Sequence, residues 1–124
     1  MMKGAKLQDM TVDQLVERFT AIALDQDRAL LRNEYAKFNR LFKQMEEVKG
    51  ELKARDGDQR QALLRLYDHP NAQVRLKAVK ATLAVAPERA RRMLEIIAES
   101  HEFPQAGEAG MSIDNLERGI FKPT

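Results

Sequence analysis

An all-α fold is what this sequence predicts, and three observations lead there. Apolar residues make up 44% of the 124 positions, enough for a core. They are mostly Leu, Ala, Met and Val, a mix that favours helices because Ala and unbranched side chains lose little freedom there. They also recur at spacings of three and four along most of the chain. The turn-forming residues fall in short clusters, leaving connections of two to five residues, and connections that short make successive helices antiparallel neighbours. The expectation is about six helices arranged as three antiparallel helical hairpins. A fold of this length buries roughly two-thirds of its extended surface, so one helical domain over 11–120 is expected. A loose terminus at 1–10 and a short tail at 121–124 flank it.

The first helix is expected over 12–25. Thr11 and Gln14 have capping-box spacing, and Val12, Leu15, Val16, Phe19, Ile22 and Ala23 form its stripe. Asp25-Gln26-Asp27 reads as a polar break, with Asp27 capping a long second helix over 28–55. The inward stripe of that helix is Leu31, Tyr35, Phe38, Leu41, Phe42, Met45, Val48 and Leu52. Seven-residue steps within it also allow a self-association seam.

Gly57 stops the long helix and Asp58 starts a short one over 59–68, with Ala62, Leu63, Leu66 and Tyr67 inward. Pro70 and Asn71 break the chain before a helix over 72–86 carrying Val74, Ala78, Ala81, Leu83 and Val85. Pro87 suits the first turn of the next helix, over 88–101, with Ala90, Leu94, Ile97 and Ala98 inward. A sixth helix is expected over 105–118 from Ala106, Ala109, Ile113, Leu116 and Ile120. Pro104 stands at its start, Gly119 is its cap, and Gly107 and Gly110 would let its backbone approach a neighbour closely.

The span from Arg60 to Pro87 resembles a HEAT repeat. Leu63, Leu64 and Leu66 match its first helix, Asp68 and Pro70 its turn, and Val74-Arg75, Ala78, Ala81 and Leu83 its second helix. The resemblance implies a HEAT/armadillo-like α-α superhelix. It also implies that Asp68, Pro70 and Arg75 brace the turn and the repeat junction. The whole chain is similar to a small bacterial family of armadillo-type proteins in which three stretches recur: Asn39 to Phe42, the DHPNAQVR turn and PQAGEAG. That resemblance implies a fold and no activity.

The chemistry that composition excludes is extensive. With no cysteine there is no disulfide, thiolate zinc site or cysteine nucleophile. His69 and His101 lie 32 positions apart without the spacing of metal ligands, so no metal is expected. Glu95, Glu99 and Glu102 fall on one face of a helix, where solvated carboxylates are ordinary. No nucleophilic triad, phosphate-cradling loop or dinucleotide fingerprint is present. No enzymatic activity and no cofactor are expected. Neither a signal-peptide core nor a membrane-length apolar run occurs, so a cytoplasmic protein that leaves the membrane alone is the expectation.

The net charge is +2. Residues 1–58 balance at zero, and the small surplus falls in 59–102. Lys77 and Lys80, one turn apart on the expected outward face of helix 72–86, form with Arg91 and Arg92 a candidate basic binding face. The expected function is a protein-interaction module of adaptor or immunity type. The alternative is weak binding of a nucleic-acid backbone through Lys77, Lys80, Arg91 and Arg92. A homodimer through helix 28–55 is a third arrangement.

Overall fold

Thr11 begins the first helix in the way its spacing predicts. Its Oγ1 accepts from the Gln14 amide while its own amide donates to Gln14 Oε1, at 3.1 and 2.8 Å. The computed structural model describes residues 6–124. Among these the fold is all-helical, with five α-helices and a ten-residue 3-10 helix: α1 Val12–Leu31, α2 Tyr35–Ala54, the 3-10 helix Gln59–Asp68, α3 Ala72–Ala81, α4 Pro87–Ala98 and α5 Gln105–Glu117. The chain divides into two compact units, Met1–Ala62 and Leu63–Thr124.

In the first unit α1 packs along α2. The expected break at Asp25-Gln26-Asp27 does not exist, and α1 runs straight through it. Gln26 and Ala29 continue the buried line of Ile22 and Ala23 at helical spacing, while Asp25 pairs with Arg28 on the wet side. The stop lies at Asn33, whose φ of 56° is left-handed. The Asn33 amide donates to Leu30 O and the Glu34 amide to Ala29 O, which is a Schellman ending. Asparagine tolerates that conformation better than most residues. The expected helix 28–55 is therefore the end of α1 plus α2.

The α2 stripe is only half core. Leu41, Met45, Val48 and Leu52 are buried, whereas Leu31, Tyr35 and Phe42 are exposed. The expected loose terminus 1–10 lies partly outside the described residues. From Leu7 to Asp9 it is a 3-10 turn. Arg55 Nη2 donates to Leu7 O and Met10 O at 3.1 and 2.8 Å, tying that turn to the end of α2.

The 3-10 helix crosses the boundary between the units. Arg60, Leu63 and Leu66 are buried at steps of three, the period of a three-residue turn. Asp58 accepts from the Arg60 amide and from its guanidinium, and that hydrogen-bonded pairing lowers the Asp58 carboxyl below its ordinary range.

In the second unit Asn71 caps α3, its Oδ1 accepting from the amides of Gln73 and Val74. This helix ends at Ala81, earlier than 86, because Thr82 turns its hydroxyl back to the carbonyls of Ala78 and Val79 and bonds the Tyr67 hydroxyl at 2.6 Å. Pro87 stands at the first turn of α4 as expected. α4 in turn stops at Ala98, not 101, where Ser100 Oγ donates to Ile97 O and accepts from the Glu102 amide. α5 packs along α4 and touches α3. Gly119, at φ 70°, ends it in a second Schellman arrangement, with the Ile120 amide on Asn115 O. Gly107 and Gly110 face open space, so the close approach expected of them is absent; the residues α5 buries are Gln105, Ala106 and Ala109.

Candidate interaction surface

The basic residues singled out in the sequence are not assembled into one open face. Lys77 is only 8% exposed, so the outward placement expected for it is wrong. The cause is a partner on α5. Glu108 Oε2 accepts from Lys77 Nζ at 3.0 Å and from Lys80 Nζ at 2.8 Å. Burial alone would raise the Glu108 carboxyl, but the two ammonium groups outweigh it and hold the group below its ordinary range. One turn earlier on both helices, Gln105 Nε2 donates to Gln73 Oε1 at 2.8 Å with both side chains buried. Gln73, Lys77 and Lys80 thus form an i, i+4, i+7 polar row on α3 that fits Gln105 and Glu108 on α5.

The α3 row begins at Gln73 in the stretch NAQVR and runs on to Lys80, and the α5 row lies in PQAGEAG, more than 20 positions further along the sequence. Their meeting is a helix-to-helix polar seam. The complementary spacing was present in the sequence, yet nothing local says which helix faces which.

Arg75 bonds on both sides of the turn. Nη1 donates to His69 O at 2.7 Å, closing the turn, and Nη2 reaches Glu102 at 2.6 Å. His69 supports the same turn through Nδ1, which accepts from the Asn71 amide. Asp68 is exposed at the end of the 3-10 helix, and Pro70 forms the bend after it. Glu102, expected in line with Glu95 and Glu99 on one helix face, lies beyond the end of α4 and belongs to Arg75. Among the described residues no group of three or more His, Cys, Asp or Glu is placed to hold a metal ion.

Arg91 and Arg92 stand on α4 beside a shallow groove of about 550 Å³. Leu83, Pro87, Leu116 and Pro123 form its apolar lining. Arg91 bonds Glu117 and approaches Glu95 at 3.5 Å, so Arg92 is the less engaged of the two. Glu88 and Glu95 also line the groove and cancel much of its positive charge. Nearby Tyr67 is buried under the Arg89 guanidinium, 5.6 Å from its ring, and burial raises its hydroxyl.

Among the described residues both units leave large apolar side chains in water: Ile96, Phe103, Met111, Ile120 and Phe121 in the second, and Leu31, Tyr35 and Phe42 in the first, where they flank the turn between α1 and α2. Leu31 at the end of α1 is 78% exposed, Tyr35 64% and Phe42 46%. Tyr35 and Phe42 lie seven residues apart, hence on one face of α2, turned away from the core line of Leu41, Met45, Val48 and Leu52. Tyr35 donates its hydroxyl to Asn33 Oδ1 at 3.0 Å, which fixes the ring over the turn. Reading α2 as a single inward stripe hid this surface, because a helical stripe broader than its neighbour can cover looks the same in sequence.

Residues 13–117 match a family described as a domain of unknown function, DUF2019. The crystal structure of the protein RPA1889 from Rhodopseudomonas palustris CGA009 is similar over 98% of this chain and 100% of its own, with a TM-score of 0.93 and 55% identity. Among curated proteins nothing matches. No helix among the described residues is long and apolar enough to cross a membrane.

Proposed function

The chain belongs to the DUF2019 family, and from that premise we propose that it is a protein-interaction module without chemistry of its own, of adaptor or immunity type. The observation that carries this reading is the exposed apolar surface of Leu31, Tyr35 and Phe42 around the turn between α1 and α2. Clustered apolar side chains left in water cost free energy that burial against a partner recovers, at about 25 cal/mol per Å². Aromatic anchors of this type are enriched where proteins bind proteins. The resemblance of Arg60 to Pro87 to a HEAT repeat supports the same reading, since helical repeats present surfaces in preference to pockets.

Backbone binding to nucleic acid through Lys77, Lys80, Arg91 and Arg92 is the weaker reading. Lys77, Lys80 and Arg91 each already meet a carboxylate, and a phosphate would have to displace it. Affinity capture of the tagged protein from its native cells, with and without nuclease, tests the proposal. A stoichiometric partner protein that resists nuclease is the expected result. Recovery of the protein alone would overturn it, and capture that disappears with nuclease would move the function to nucleic acid.

A further inference from the structure

We infer that the turn between α1 and α2 docks an acidic protein segment, one that carries apolar side chains among its Asp and Glu residues. This deepens the interaction reading above and rests on it. The apolar part of the surface is Leu31, Tyr35 and Phe42. The charged part lies on the same stretch of chain. Between residues 29 and 45 stand four cations, Arg32, Lys37, Arg40 and Lys43, against one acid, Glu34. All four cations are exposed, and among the described residues none of them meets a carboxylate.

Single cations elsewhere, such as Arg18, Arg92 and Lys122, share that state, but many others meet a carboxylate. Arg28, Lys49 and Arg55 in the same unit pair with Asp25, Glu46 and Glu51. Arg75, Lys77, Lys80, Arg91 and Arg118 in the other unit pair likewise. Residues 1–58 balance at zero, so the surplus of three over 29–45 is local to the turn and α2 and is offset by acids elsewhere in the unit. This surplus coincides with the exposed apolar cluster. Arg32 precedes the aromatic face, and Lys43, Arg40 and Lys37 are spread around the solvent side of α2 away from it, while Glu46, one turn from Phe42, is paired with Lys49.

The chemistry of the occupant follows. Exposed cations around apolar anchors are complementary to a segment with carboxylates around apolar side chains, and such complementarity sets association rate and specificity. A second copy of this chain is a poor occupant, since the surface laid on itself would oppose four cations with four more. A single nucleic-acid strand could stack bases on Tyr35 and Phe42. It offers nothing to cover Leu31, the most exposed of the three.

The experiment uses the whole chain in the capture assay, with a water-soluble carbodiimide that joins lysine amines to carboxylates in contact. The variants are Arg32→Glu with Lys43→Glu, and Tyr35→Ser with Phe42→Ser, each checked for native helicity and unfolding midpoint. The expected result is a partner joined through its Asp or Glu side chains to Lys37 or Lys43. Both double variants should lower its recovery about tenfold, the scale of losing a few complementary interface groups. A partner retained by both variants, or joined elsewhere, overturns the docking site while leaving the interaction module standing. Links between two copies of the chain overturn it in favour of a homodimer. Tighter binding to oligo-dT, or to mixed phosphatidylcholine and phosphatidylserine vesicles, overturns it in favour of those surfaces. If the unmodified protein captures nothing, both readings fall together.

Discussion

Glu108 on α5 accepts from both Lys77 and Lys80 on α3 through one carboxylate oxygen, at 3.0 and 2.8 Å. Lys77 is nearly buried and Lys80 is partly exposed, so the three groups contribute unequally. Replacing Glu108 by Gln should destabilise the protein by about 1–2 kcal/mol. That is below the cost of breaking a fully buried pair, because Glu108 still meets water. Lys80→Ala should cost less than about 1 kcal/mol. Urea unfolding midpoints of the two variants decide the order.

The same carboxylate gives the stability curve an acid limb. Its folded value lies below the ordinary glutamate range. Its contribution is therefore complete above that range and is lost as pH falls from about 4.3 through the folded value. Asp58, lowered by Arg60, acts in the same direction. Unfolding free energy measured against pH should fall less steeply on the acid side in Glu108→Gln than in the parent. Parallel curves would show that the lysine pair leaves the Glu108 titration unchanged.

Gln105 and Gln73 form the buried half of the same seam. Gln105→Ala should cost about 1–3 kcal/mol, since a buried polar contact is lost as well as side-chain volume. A double-mutant cycle with Gln73→Ala should show coupling above about 0.5 kcal/mol. Strict additivity would mean that the two side chains are held independently.

Asn33 holds the left-handed position that ends α1. Asn33→Gly should be neutral or slightly stabilising, whereas Asn33→Ala should cost about 1 kcal/mol through strain at positive φ. Thermal melts of the two variants should separate in that order; an Ala variant as stable as the Gly variant would remove the strain argument.

The α2 stripe should divide energetically where burial divides it. Leu52, fully buried, should cost about 2–5 kcal/mol on change to Ala. Tyr35→Ser should stay within about 0.5 kcal/mol of the parent, as surface changes do. A large loss from Tyr35→Ser would place that ring in the fold and take it out of the docking surface.

Much of the local structure was legible because its causes are local. The Thr11–Gln14 box, the Asn71 cap, Pro87 at a first turn and Gly119 at an end each depend on residues within one helical turn. The helical reading of 105–118 despite its glycines succeeded for the same reason, since its apolar period outweighs the glycine cost. The break at Asp25-Gln26-Asp27 failed because polarity was taken as a stop. A buried Gln26 can continue a core line, and the true stop needed only one left-handed Asn33.

The sequence by itself determined the all-helical class, the order of the helices, most of their ends and the lack of cysteine chemistry, all set by propensity, period and composition. Only the tertiary structure decided which side chains remain available. It set Glu108 against Lys77 and Lys80, moved Glu102 to Arg75, and left Leu31, Tyr35 and Phe42 in water. The physical reason is that a helical stripe records which residues could be buried. Whether each is buried, paired or free depends on the width and charges of the neighbouring helix, and that neighbour is far away in sequence.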